Sequence, residues 1–430
     1  MKKLFCMLLT LCLLFGTGAR AQSEPVRIVL WHSMSEEAGV LMEKYVRQFN
    51  DTLGKEKGIV VETVFQGKYS DAVSKMNSIL SAGQADTLPD VMQLDATGKV
   101  SYAAADIAYT ADAALSEYAG ADLDDYLAPA LANWQLSGVQ LGLPFATSTT
   151  VTYYNRTVLE AAGFSAPDTL EDIGKMAPLA KDGVRVYACV PNTPALANWL
   201  GQMGSDVVNN RNGSEGTASS LDCVENGALA RFLTDWKELY ATGALENTSA
   251  SSDDFAAGRL LVMTSSSSSI SSLLESIGGS FEMGVSPYPR ADAQADYGAT
   301  VSGSCLVMFD HGQTRRQAAW DLVLYLTGAE IQADLARGTG YLPANRAAAQ
   351  SGAWLDLVAE YPQYAVGLDQ LSRTPDAMRS VTVGPSANFY YAVMDGISAM
   401  LEEDLTVEET VKLLSDDLNG QLEKYLRDNQ

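Results

Sequence analysis

The sequence predicts an α/β protein folded in two lobes, and three observations lead to that prediction. Its 430 residues exceed the roughly 250–300 residues beyond which a single hydrophobic core stops growing. Strand-like runs alternate with amphipathic helical stretches in the first quarter of the chain, the order typical of a parallel sheet covered by helices. A hydroxyl-rich extended segment at 143–154 separates two apolar blocks, as a crossing between two lobes would.

The first lobe is expected to open with a strand–helix–strand–helix–strand order. Its three strands are predicted at 26–31, 58–65 and 91–94. The stretches 36–53 and 72–82 between them carry apolar residues at helical spacing. A later strand at 301–309 and one helix over 314–336 are expected to complete this lobe.

The second lobe is expected to start after the crossing segment. Pro144 favours a strand edge there, because proline cannot donate to a sheet ladder. Helices and strands are predicted in alternation, at 155–162, 184–190, 229–240 and 259–263. Five serines at 265–269 follow the last of these strands and precede a helix over 270–277.

Two further connectors are predicted between the lobes. The Pro-rich stretch 284–289 would return the chain to the first lobe, and 340–343 would send the helical tail back to the second. With the crossing segment they make three interlobe connectors, which suit a hinge that opens and closes. The predicted first lobe is 22–143 plus 290–342, and the predicted second lobe is 144–289 plus 343–430.

The N-terminus has the pattern of a secretory signal peptide over residues 1–21. Lys2 and Lys3 precede an apolar run that ends at Phe15, and Ala19-Arg20-Ala21 forms an A-x-A cleavage signal. The apolar run is shorter than the ~20 residues that span a bilayer. We therefore expect an exported protein, periplasmic or otherwise extracytoplasmic, cleaved near Ala21.

The composition narrows the classes of partner. A formal net charge of −24 would repel nucleic acid and anionic membranes, so neither is expected as a partner. The net charge does not identify the ligand, because the local charge of a binding site can be opposite in sign to the net charge of the protein. The expected species is a soluble monomer that binds a small polar ligand.

Three cysteines follow the predicted leader, an odd number for an oxidising compartment: Cys189, Cys223 and Cys305. Cys189 and Cys223 could pair and close a loop of about 35 residues, which the chain-entropy account values at ~3–4 kcal/mol. Cys305 lies in an apolar strand and is expected to be a buried thiol. The sequence leaves the disulfide open.

Little in the sequence favours catalysis. Only His32 and His311 could serve a histidine-based triad or metal site. Common phosphate-binding, dinucleotide-binding, serine-hydrolase and zinc-protease motifs do not occur in it. We expect a protein that is not an enzyme and needs neither metal nor cofactor. A carboxylate pair for glycoside hydrolysis stays open as an alternative, because the chain is rich in acidic residues.

Five segments, in order along the chain, resemble a single family. They are 28–34 (Ile-Val-Leu-Trp-His-Ser-Met), 65–69 (Phe-Gln-Gly-Lys-Tyr), 89–95 (Pro-Asp-Val-Met-Gln-Leu-Asp), 141–156 around Pro144, and 339–343 (Thr-Gly-Tyr-Leu-Pro). The chain resembles the extracellular solute-binding proteins of ABC importers, in the branch of the glycerol-3-phosphate- and sugar-binding proteins. The resemblance implies a two-lobe periplasmic-binding-protein type II fold, a ligand in the interlobe cleft, and ABC permease membrane subunits as partners.

Four candidate ligand-binding residues fall at or just past the ends of predicted first-lobe strands, where open α/β sheets bind ligands: Trp31, His32, Tyr69 and Asp95. Tyr69 could stack on a sugar face or donate its hydroxyl, and Asp95 could accept hydrogen bonds from vicinal hydroxyls. Each has a structural alternative. Trp31 and His32 could belong to the core, Tyr69 to an exposed loop, and Asp95 to a helix N-cap.

Other candidates lie on the connectors and in the serine run. Ser148 offers a hydroxyl on the crossing segment, or is merely a polar strand residue. Gly303 would let the ligand approach the backbone closely, or only forms a bulge. Ser267 and Ser268 precede a helix, whose free N–H groups attract anions or polyols, or they simply cap it. Tyr341 resembles a cleft tyrosine of the family, with packing in the connector as the alternative.

The chain departs from the glycerol-3-phosphate binders at two places. Their arginine before the glycine that matches Gly384 is replaced by Thr382, our last candidate, and their second-lobe tryptophans fall where 190–194 reads Val-Pro-Asn-Thr-Pro. These losses remove strong phosphate and glycerol contacts. A neutral sugar, oligosaccharide or other polyol derivative is therefore favoured. The alternatives are glycerol 3-phosphate or a glycerophosphodiester, a ligand-sensing adaptor for a membrane receptor, and an exported carbohydrate-active enzyme.

Overall fold

The computed structural model describes residues 24–375 and 378–429, so the predicted signal peptide and its cleavage site lie outside the described residues. Its strands are β1 (Val26–His32), β2 (Ile59–Phe65), β3 (Val91–Asp95), β4 (Ala108–Tyr109), β5 (Gln135–Leu136), β6 (Val139–Gln140), β7 (Leu143–Asn155), β8 (Arg185–Ala188), β9 (Leu245–Glu246), β10 (Leu260–Ser266), β11 (Met283–Ser286) and β12 (Val301–Phe309).

The helices are α1 (Glu36–Asp51), α2 (Leu53–Lys57), α3 (Tyr69–Ser81), α4 (Lys99–Ala103), α5 (Ala111–Glu117), α6 (Ala128–Ala132), α7 (Arg156–Ala161), α8 (Leu170–Lys175), α9 (Thr193–Gln202), α10 (Asn209–Asn212), α11 (Asp222–Glu225), α12 (Ala228–Ala241), α13 (Ser252–Ala256), α14 (Ile270–Ile277), α15 (Gln313–Thr327), α16 (Ala329–Thr339), α17 (Arg346–Ala349), α18 (Gly352–Glu360), α19 (Ala365–Arg373), α20 (Ser386–Glu402) and α21 (Val407–Asp428). Within the described ranges, no helix has both the length and the apolar character needed to cross a membrane.

A large mixed sheet runs through both lobes, in the order β2-β1-β3-β12-β7-β10-β8-β9. β1 pairs in parallel with β2 and β3, and β8 pairs in parallel with β9 and β10. The long strand β7 joins these two parts. Its first half pairs with β12, and its second half pairs with β10 and β11, in each case antiparallel.

Separate hydrophobic cores define the two lobes. The first-lobe cores draw their residues from 26–146 and 305–341, and the second-lobe cores draw theirs from 151–301 and 336–422. The chain passes from one set of cores to the other within β7, at the start of β12, and between Tyr341 and Leu342. Three crossings therefore connect the lobes, in agreement with the predicted fold class.

Two segments differ from the sequence expectation. The helix expected over 314–336 is divided into α15 and α16, because Gly328 adopts an extended conformation with φ −68° and ψ 159°. The predicted connector 284–289 contains β11, which pairs with β7 inside the second lobe. Ala291, Ala295 and Ala299 still pack in a second-lobe core, so the chain returns to the first lobe near residue 300.

The helices that border the space between the lobes begin in different ways. Asn192 caps α9 by accepting a hydrogen bond at 3.0 Å from a backbone N–H of the first turn. Ser266 caps the short 3-10 helix Ser267–Ser269 by accepting from the N–H of Ser268. By contrast, α20 begins after Pro385 without a side-chain cap.

All three cysteines of the described chain are free thiols, so the disulfide that Cys189 and Cys223 could have formed is absent. Cys305 is buried in β12, as expected. Burial raises the pKa of Cys189 and of Cys223 to about 12. Both are therefore protonated and unreactive at neutral pH.

Candidate functional site

A cavity of about 550 Å³ lies between the two lobes, within the roughly 300–1,000 Å³ that small-molecule sites occupy. It brings together side chains from the first lobe, from the crossing strands and from the second lobe. Six of the residues predicted from the sequence line it: Tyr69, Asp95, Ser148, Ser268, Gly303 and Tyr341.

Residues that carry a hydroxyl group, namely serine, threonine and tyrosine, make up most of the cavity lining. Among the described residues, Asp95 is the one carboxylate in the lining, and no lysine or arginine lines it. Each hydroxyl can both donate and accept a hydrogen bond. The cavity can therefore bind a polyhydroxylated molecule from several sides. In the described ranges, no cluster of acidic, histidine and cysteine residues is arranged to hold a metal ion.

Tyr69 and Tyr341 lie beside each other in the cavity lining. The amide of Gln93 donates to the Tyr69 hydroxyl at 3.1 Å and to Ser304 Oγ at 2.8 Å. Burial raises the pKa of Tyr69 well above its usual value, and Tyr341 raises it further. Burial also raises the pKa of Tyr341, although interactions with Tyr69 and Ser268 oppose that rise. Both phenols are therefore protonated at physiological pH.

Asp95 ends β3 and occupies the N-cap position of the 3-10 turn Ala96–Gly98. Thr97 Oγ1 donates to Asp95 Oδ1 at 2.7 Å. Burial raises the pKa of Asp95, and hydrogen bonds from Thr97 and the neighbouring backbone lower it. The residue thus holds the cap position foreseen as its structural alternative and also lines the cavity.

Ser148 and Gly303 lie where β7 and β12 pair. Ser148 pairs with Ser302, and Gly303 pairs with Thr147. Gly303 has a φ of +97°, and a Cβ there would lie 1.9 Å from the carbonyl oxygen of Ala146, so the position requires glycine. The register shifts just after it. Gly303 therefore forms a bulge and lines the cavity at the same time.

The serine run reaches the cavity through alternate residues. Ser266 and Ser268 line it, with their hydroxyl oxygens 2.8 Å apart. Ser267 lies behind them, and its hydroxyl accepts a hydrogen bond from the N–H of Thr149 at 3.3 Å. Successive side chains of this turn point in different directions. The site therefore contains Ser266 and Ser268 rather than the predicted pair Ser267 and Ser268.

Trp31 and His32 do not line the cavity. Trp31 packs in a first-lobe core, with Lys75 Nζ 4.3 Å from its ring centroid. His32 is buried 3.6 Å from the Glu43 carboxylate, and burial lowers the pKa of His32 against the opposing effect of Glu43. Both side chains are instead directed into the first lobe, where the His32 ring also contacts Phe65 at 5.7 Å between centroids. Trp31 and His32 are therefore buried in the first lobe, in agreement with the alternative that they belong to its core.

Thr382 also lies behind the cavity wall. Its N–H donates to the Asn212 carbonyl at 2.7 Å, and its hydroxyl donates to the Ser380 carbonyl at 3.4 Å. Its neighbours Val381 and Val383 line the cavity. Side chains alternate in an extended segment, so the residue between two cavity-lining positions faces away from the site.

Two helix starts that supplied none of the candidate residues also line the cavity. They contribute Thr193 and Pro194 of α9 and Ser386, Ala387, Tyr390 and Tyr391 of α20. A local signal for the first start was present, because an asparagine N-cap followed by a proline in the first turn is typical of a helix N-terminus. No comparable signal in the sequence indicates that the first residues of α9 and α20 line the same wall of the cavity.

Two lobes joined by three crossings around a hydroxyl-lined cavity define a protein that captures a small polar solute. The family model of the bacterial extracellular solute-binding proteins matches residues 44–365, and the chain belongs to that family. Proteins of this family bind small solutes outside the cytoplasm and work with ABC permeases, which is the functional class of this chain. The resemblance recognised in the sequence is thereby confirmed.

Curated relatives carry the name sn-glycerol-3-phosphate-binding periplasmic protein UgpB. The protein of Yersinia pseudotuberculosis is 25% identical over 362 residues, which cover 80% of this chain and 78% of the relative. The protein of Rhizobium meliloti is 23% identical over 350 residues, which cover 78% of each chain. The relatives are binding proteins, in agreement with the expectation of a chain without catalytic activity.

Solved structures share the fold at lower identity. UgpB from Mycobacterium tuberculosis, in complex with glycerophosphocholine, has a TM-score of 0.78 and 20% identity, covering 93% of this chain and 99% of that chain. The GacH receptor of Streptomyces glaucescens, solved unliganded and with acarbose, has a TM-score of 0.75 and 16% identity at the same coverage. The sugar-binding protein MalE from Xanthomonas citri has a TM-score of 0.76 and 17% identity, covering 94% and 100%. These neighbours confirm the two-lobe periplasmic-binding-protein fold.

Proposed function

We propose that this protein captures a sugar or polyol derivative in the interlobe cavity and passes it to the membrane subunits of an ABC permease. The observation that carries the proposal is the cavity lining, in which hydroxyl side chains from both lobes surround about 550 Å³. A polyol presents hydroxyls that donate and accept in turn, and the lining offers the complementary groups. The names of the UgpB and MalE relatives support the same class of ligand.

Closure of the lobes gives the proposed site its affinity. Tyr69, Asp95 and Tyr341 belong to the first-lobe wall, whereas Ser268 and Val383 belong to the second-lobe wall. A ligand that contacts both walls binds the closed arrangement better than the open one, and it shifts the population only by that difference in affinity. The permease would then recognise the closed, loaded protein.

The proposal also includes the lobe boundaries, the signal peptide and the monomeric state that the sequence indicated. The first lobe comprises 22–143 and the segment from near residue 300 to 342. The second lobe comprises the segment from 144 to near residue 300, together with 343–430. Residues 1–21 act as a signal peptide cleaved near Ala21, and the mature protein acts as a monomer outside the cytoplasm. Mass spectrometry of the exported protein tests the cleavage site directly.

A thermal-shift screen over sugars, polyols and their phosphates tests the ligand class. A compound at about 100 times its Kd stabilises the folded state by ~2.7 kcal/mol, which is easily measured. A rise in Tm with one or more members of the panel supports the proposal. A melting curve that no member of the panel moves would contradict it.

The variant Tyr341→Phe tests the contact itself, because it removes a hydroxyl and keeps the ring. Loss of one ligand hydrogen bond should raise the Kd by about tenfold, measured by calorimetry. Tyr361→Phe is the matched control, because Tyr361 is exposed and lies outside the cavity. Equal affinity of Tyr341→Phe and the wild type would remove Tyr341 from the site.

A further inference from the structure

We propose that Gln93, a buried residue behind the cavity wall, is a positioning residue that makes the Tyr69 hydroxyl a hydrogen-bond donor toward the captured solute. This inference rests on the proposed function, because it requires a polar solute in the interlobe cavity. It adds the direction of one hydrogen bond, the side chain that fixes that direction, and the kind of group that the solute must present there.

Gln93 lies in β3, which pairs with β1 on one side and with β12 on the other. Its side chain is only 1% exposed, and it lies behind the residues that line the cavity. A buried amide is unfavourable unless its oxygen and its nitrogen both find hydrogen-bond partners. The partners of Gln93 therefore show what the amide does at this position.

A backbone group fixes the orientation of the Gln93 amide. The N–H of Ser33, in the loop after β1, donates to Gln93 Oε1 at 2.9 Å. Because a backbone N–H can only donate, the amide oxygen faces Ser33 and the amide nitrogen faces the other way. That nitrogen lies 3.1 Å from the Tyr69 hydroxyl, 2.8 Å from Ser304 Oγ and 3.1 Å from Met34 Sδ. Each of these three atoms can accept a hydrogen bond.

The Tyr69 hydroxyl therefore accepts from Gln93 and keeps its own proton for another partner. A tyrosine hydroxyl can donate or accept, whereas an amide N–H group can only donate, so this bond has one direction. The Tyr69 hydroxyl also donates to Ser304 Oγ at 3.3 Å, which is longer than the roughly 2.5–3.0 Å of ordinary O–H···O bonds. Ser304 Oγ already accepts the shorter bond from Gln93. An oxygen of the solute would offer the Tyr69 proton a better acceptor.

The neighbouring Tyr341 supports this direction. Burial raises the pKa of both tyrosines, and their interaction opposes that rise in Tyr341 but adds to it in Tyr69. A hydrogen bond lowers the pKa of the phenol that accepts it and raises the pKa of the phenol that donates it. Both effects fit donation from the Tyr69 hydroxyl toward Tyr341, on the cavity side.

The loop after β1 thus acts on the cavity indirectly. Ser33 orients Gln93, and Gln93 orients the hydroxyl of Tyr69, which lines the cavity. A solute that binds here must present an oxygen acceptor to Tyr69. A solute with only a donor at that point would leave two donors facing each other, which selects against it.

Gln93→Glu tests the direction of the bond, because glutamate has nearly the same shape and its carboxylate cannot donate. The Ser33 N–H can still donate to the carboxylate, but the Tyr69 hydroxyl would also donate to it and turn away from the solute. The probes are sn-glycerol 3-phosphate, glycerophosphocholine and maltose, measured by calorimetry at pH 8. For a probe that binds the wild type, we expect the Kd to rise about tenfold.

The pH dependence of that loss separates positioning from general damage to the fold. A protonated carboxyl group regains one donor, which can again face Tyr69. Because burial raises the pKa of a carboxyl group, we expect the Gln93→Glu protein to regain affinity between pH 8 and pH 5. The ratio to the wild-type affinity at each pH removes the contribution of Asp95, which titrates in the same cavity.

The Tyr69→Phe background shows whether Gln93 acts through the hydroxyl. Without that hydroxyl, neither Gln93→Glu nor Gln93→Met should change the Kd by more than about twofold. Gln93→Met buries no carboxylate, so it provides the same comparison if Gln93→Glu does not fold. Gln140→Met is the matched control, because Gln140 is also 1% exposed in the first lobe and lies outside the cavity lining. It should lower the Tm without changing the Kd.

The outcomes separate this inference from the proposed function. A loss of affinity that recovers at low pH and disappears in Tyr69→Phe supports the positioning role of Gln93. If a probe binds the wild type and the Gln93 variants weaken it equally in both backgrounds, or not at all, the inference is refuted and the proposed function stands. If no probe binds the wild type, the inference is refuted together with the proposed function.

Discussion

Ser137 and Ser214 contact each other across the cleft, because the N–H of Ser137 donates to the carbonyl oxygen of Ser214 at 2.7 Å. Ser137 lies at the tip of the β5–β6 hairpin of the first lobe. Ser214 follows α10, in which Asn210, Arg211 and Asn212 have φ values of 56°, 51° and 54°, so this segment is a left-handed turn rather than a regular α-helix. Left-handed backbone at such residues is unfavourable, so surrounding contacts must hold the turn in place.

The same turn supports the wall of the ligand cavity. Asn212 donates from Nδ2 to the Arg379 carbonyl at 2.9 Å, and its own carbonyl accepts from the Thr382 N–H at 2.7 Å. The segment held in this way includes Ser380 and Val381, which line the cavity. The interlobe contact and the cavity wall therefore belong to one hydrogen-bonded unit.

A disulfide at this contact should hold the lobes closed. Ser137→Cys combined with Ser214→Cys places two thiols on backbone segments that already form a hydrogen bond at 2.7 Å. Under oxidising conditions we expect ligand association, measured by stopped flow, to slow strongly and to recover with a reductant. Each single cysteine variant serves as a control. Association rates that do not depend on the reductant in the double variant would contradict a closing role for this contact.

Gly303→Ala should destabilise the protein and weaken ligand binding. Its φ of +97° and the close carbonyl of Ala146 leave no room for a Cβ. Backbone strain of this kind costs about 1–3 kcal/mol, which urea denaturation can measure.

Gly420→Ala is the matched control for that variant. Gly420 lies inside α21, and a Cβ there would meet no atom within 4 Å. Alanine in a helix interior should stabilise the protein by about 0.5–1 kcal/mol relative to glycine. A Gly303→Ala protein as stable as the wild type would show that the bulge tolerates a side chain.

The stability of the protein should rise with pH above about 8 because of Lys99. This lysine is buried, its Nζ donates to the Asn133 carbonyl at 3.0 Å, and burial lowers its pKa to about 8. The unfolded chain, with the ordinary lysine pKa of 10.5, binds the proton more tightly than the folded protein. The free energy of unfolding therefore increases between these two values, by about 3 kcal/mol if the full shift is expressed.

Lys99→Met should remove that slope and make the protein more stable at neutral pH. The difference between the wild-type and variant unfolding free energies, measured by urea titration from pH 7 to pH 10, isolates the lysine from the tyrosines that ionise at higher pH. Parallel pH profiles for the two proteins would show that Lys99 keeps an ordinary pKa in the folded state.

Arg315→Ala should destabilise the first lobe through Asp90. The Asp90 carboxylate is fully buried, accepts from the N–H of Val29 at 2.8 Å, and forms two hydrogen bonds of 2.7 Å with Arg315. Removing the arginine leaves a buried charge without its counterion, which costs about 3 kcal/mol. Lys412→Ala breaks an exposed pair with Asp416 and should change unfolding by less than about 0.5 kcal/mol. Equal changes of the unfolding free energy in the two variants would mean that solvent stabilises the Asp90 carboxylate when Arg315 is absent.

Much of the secondary structure was predictable because its causes are local. The strand at 301–309 has the bounds expected from its apolar run, and the serine run starts a helix as expected. The division between α15 and α16 at Gly328 escaped prediction, because glycine is compatible with both a helix and an extended conformation. Hydrophobic periodicity identifies which face of an element is buried, and it does not report a break between two helices.

The two-lobe class, the three crossings and the candidate residues on them could be predicted before the structure was known. Ser148, Gly303 and Tyr341 line the cavity because the crossing strands and the third connector pass beside it in this fold. The packing of Trp31 and His32 inside the first lobe, away from the cleft, follows from contacts that the sequence pattern does not show. Only the tertiary structure brought together the helix starts of Asn192 and Tyr390, which are 198 positions apart in the chain. Strand order and helix packing depend on contacts between distant segments, and no local pattern carries that information.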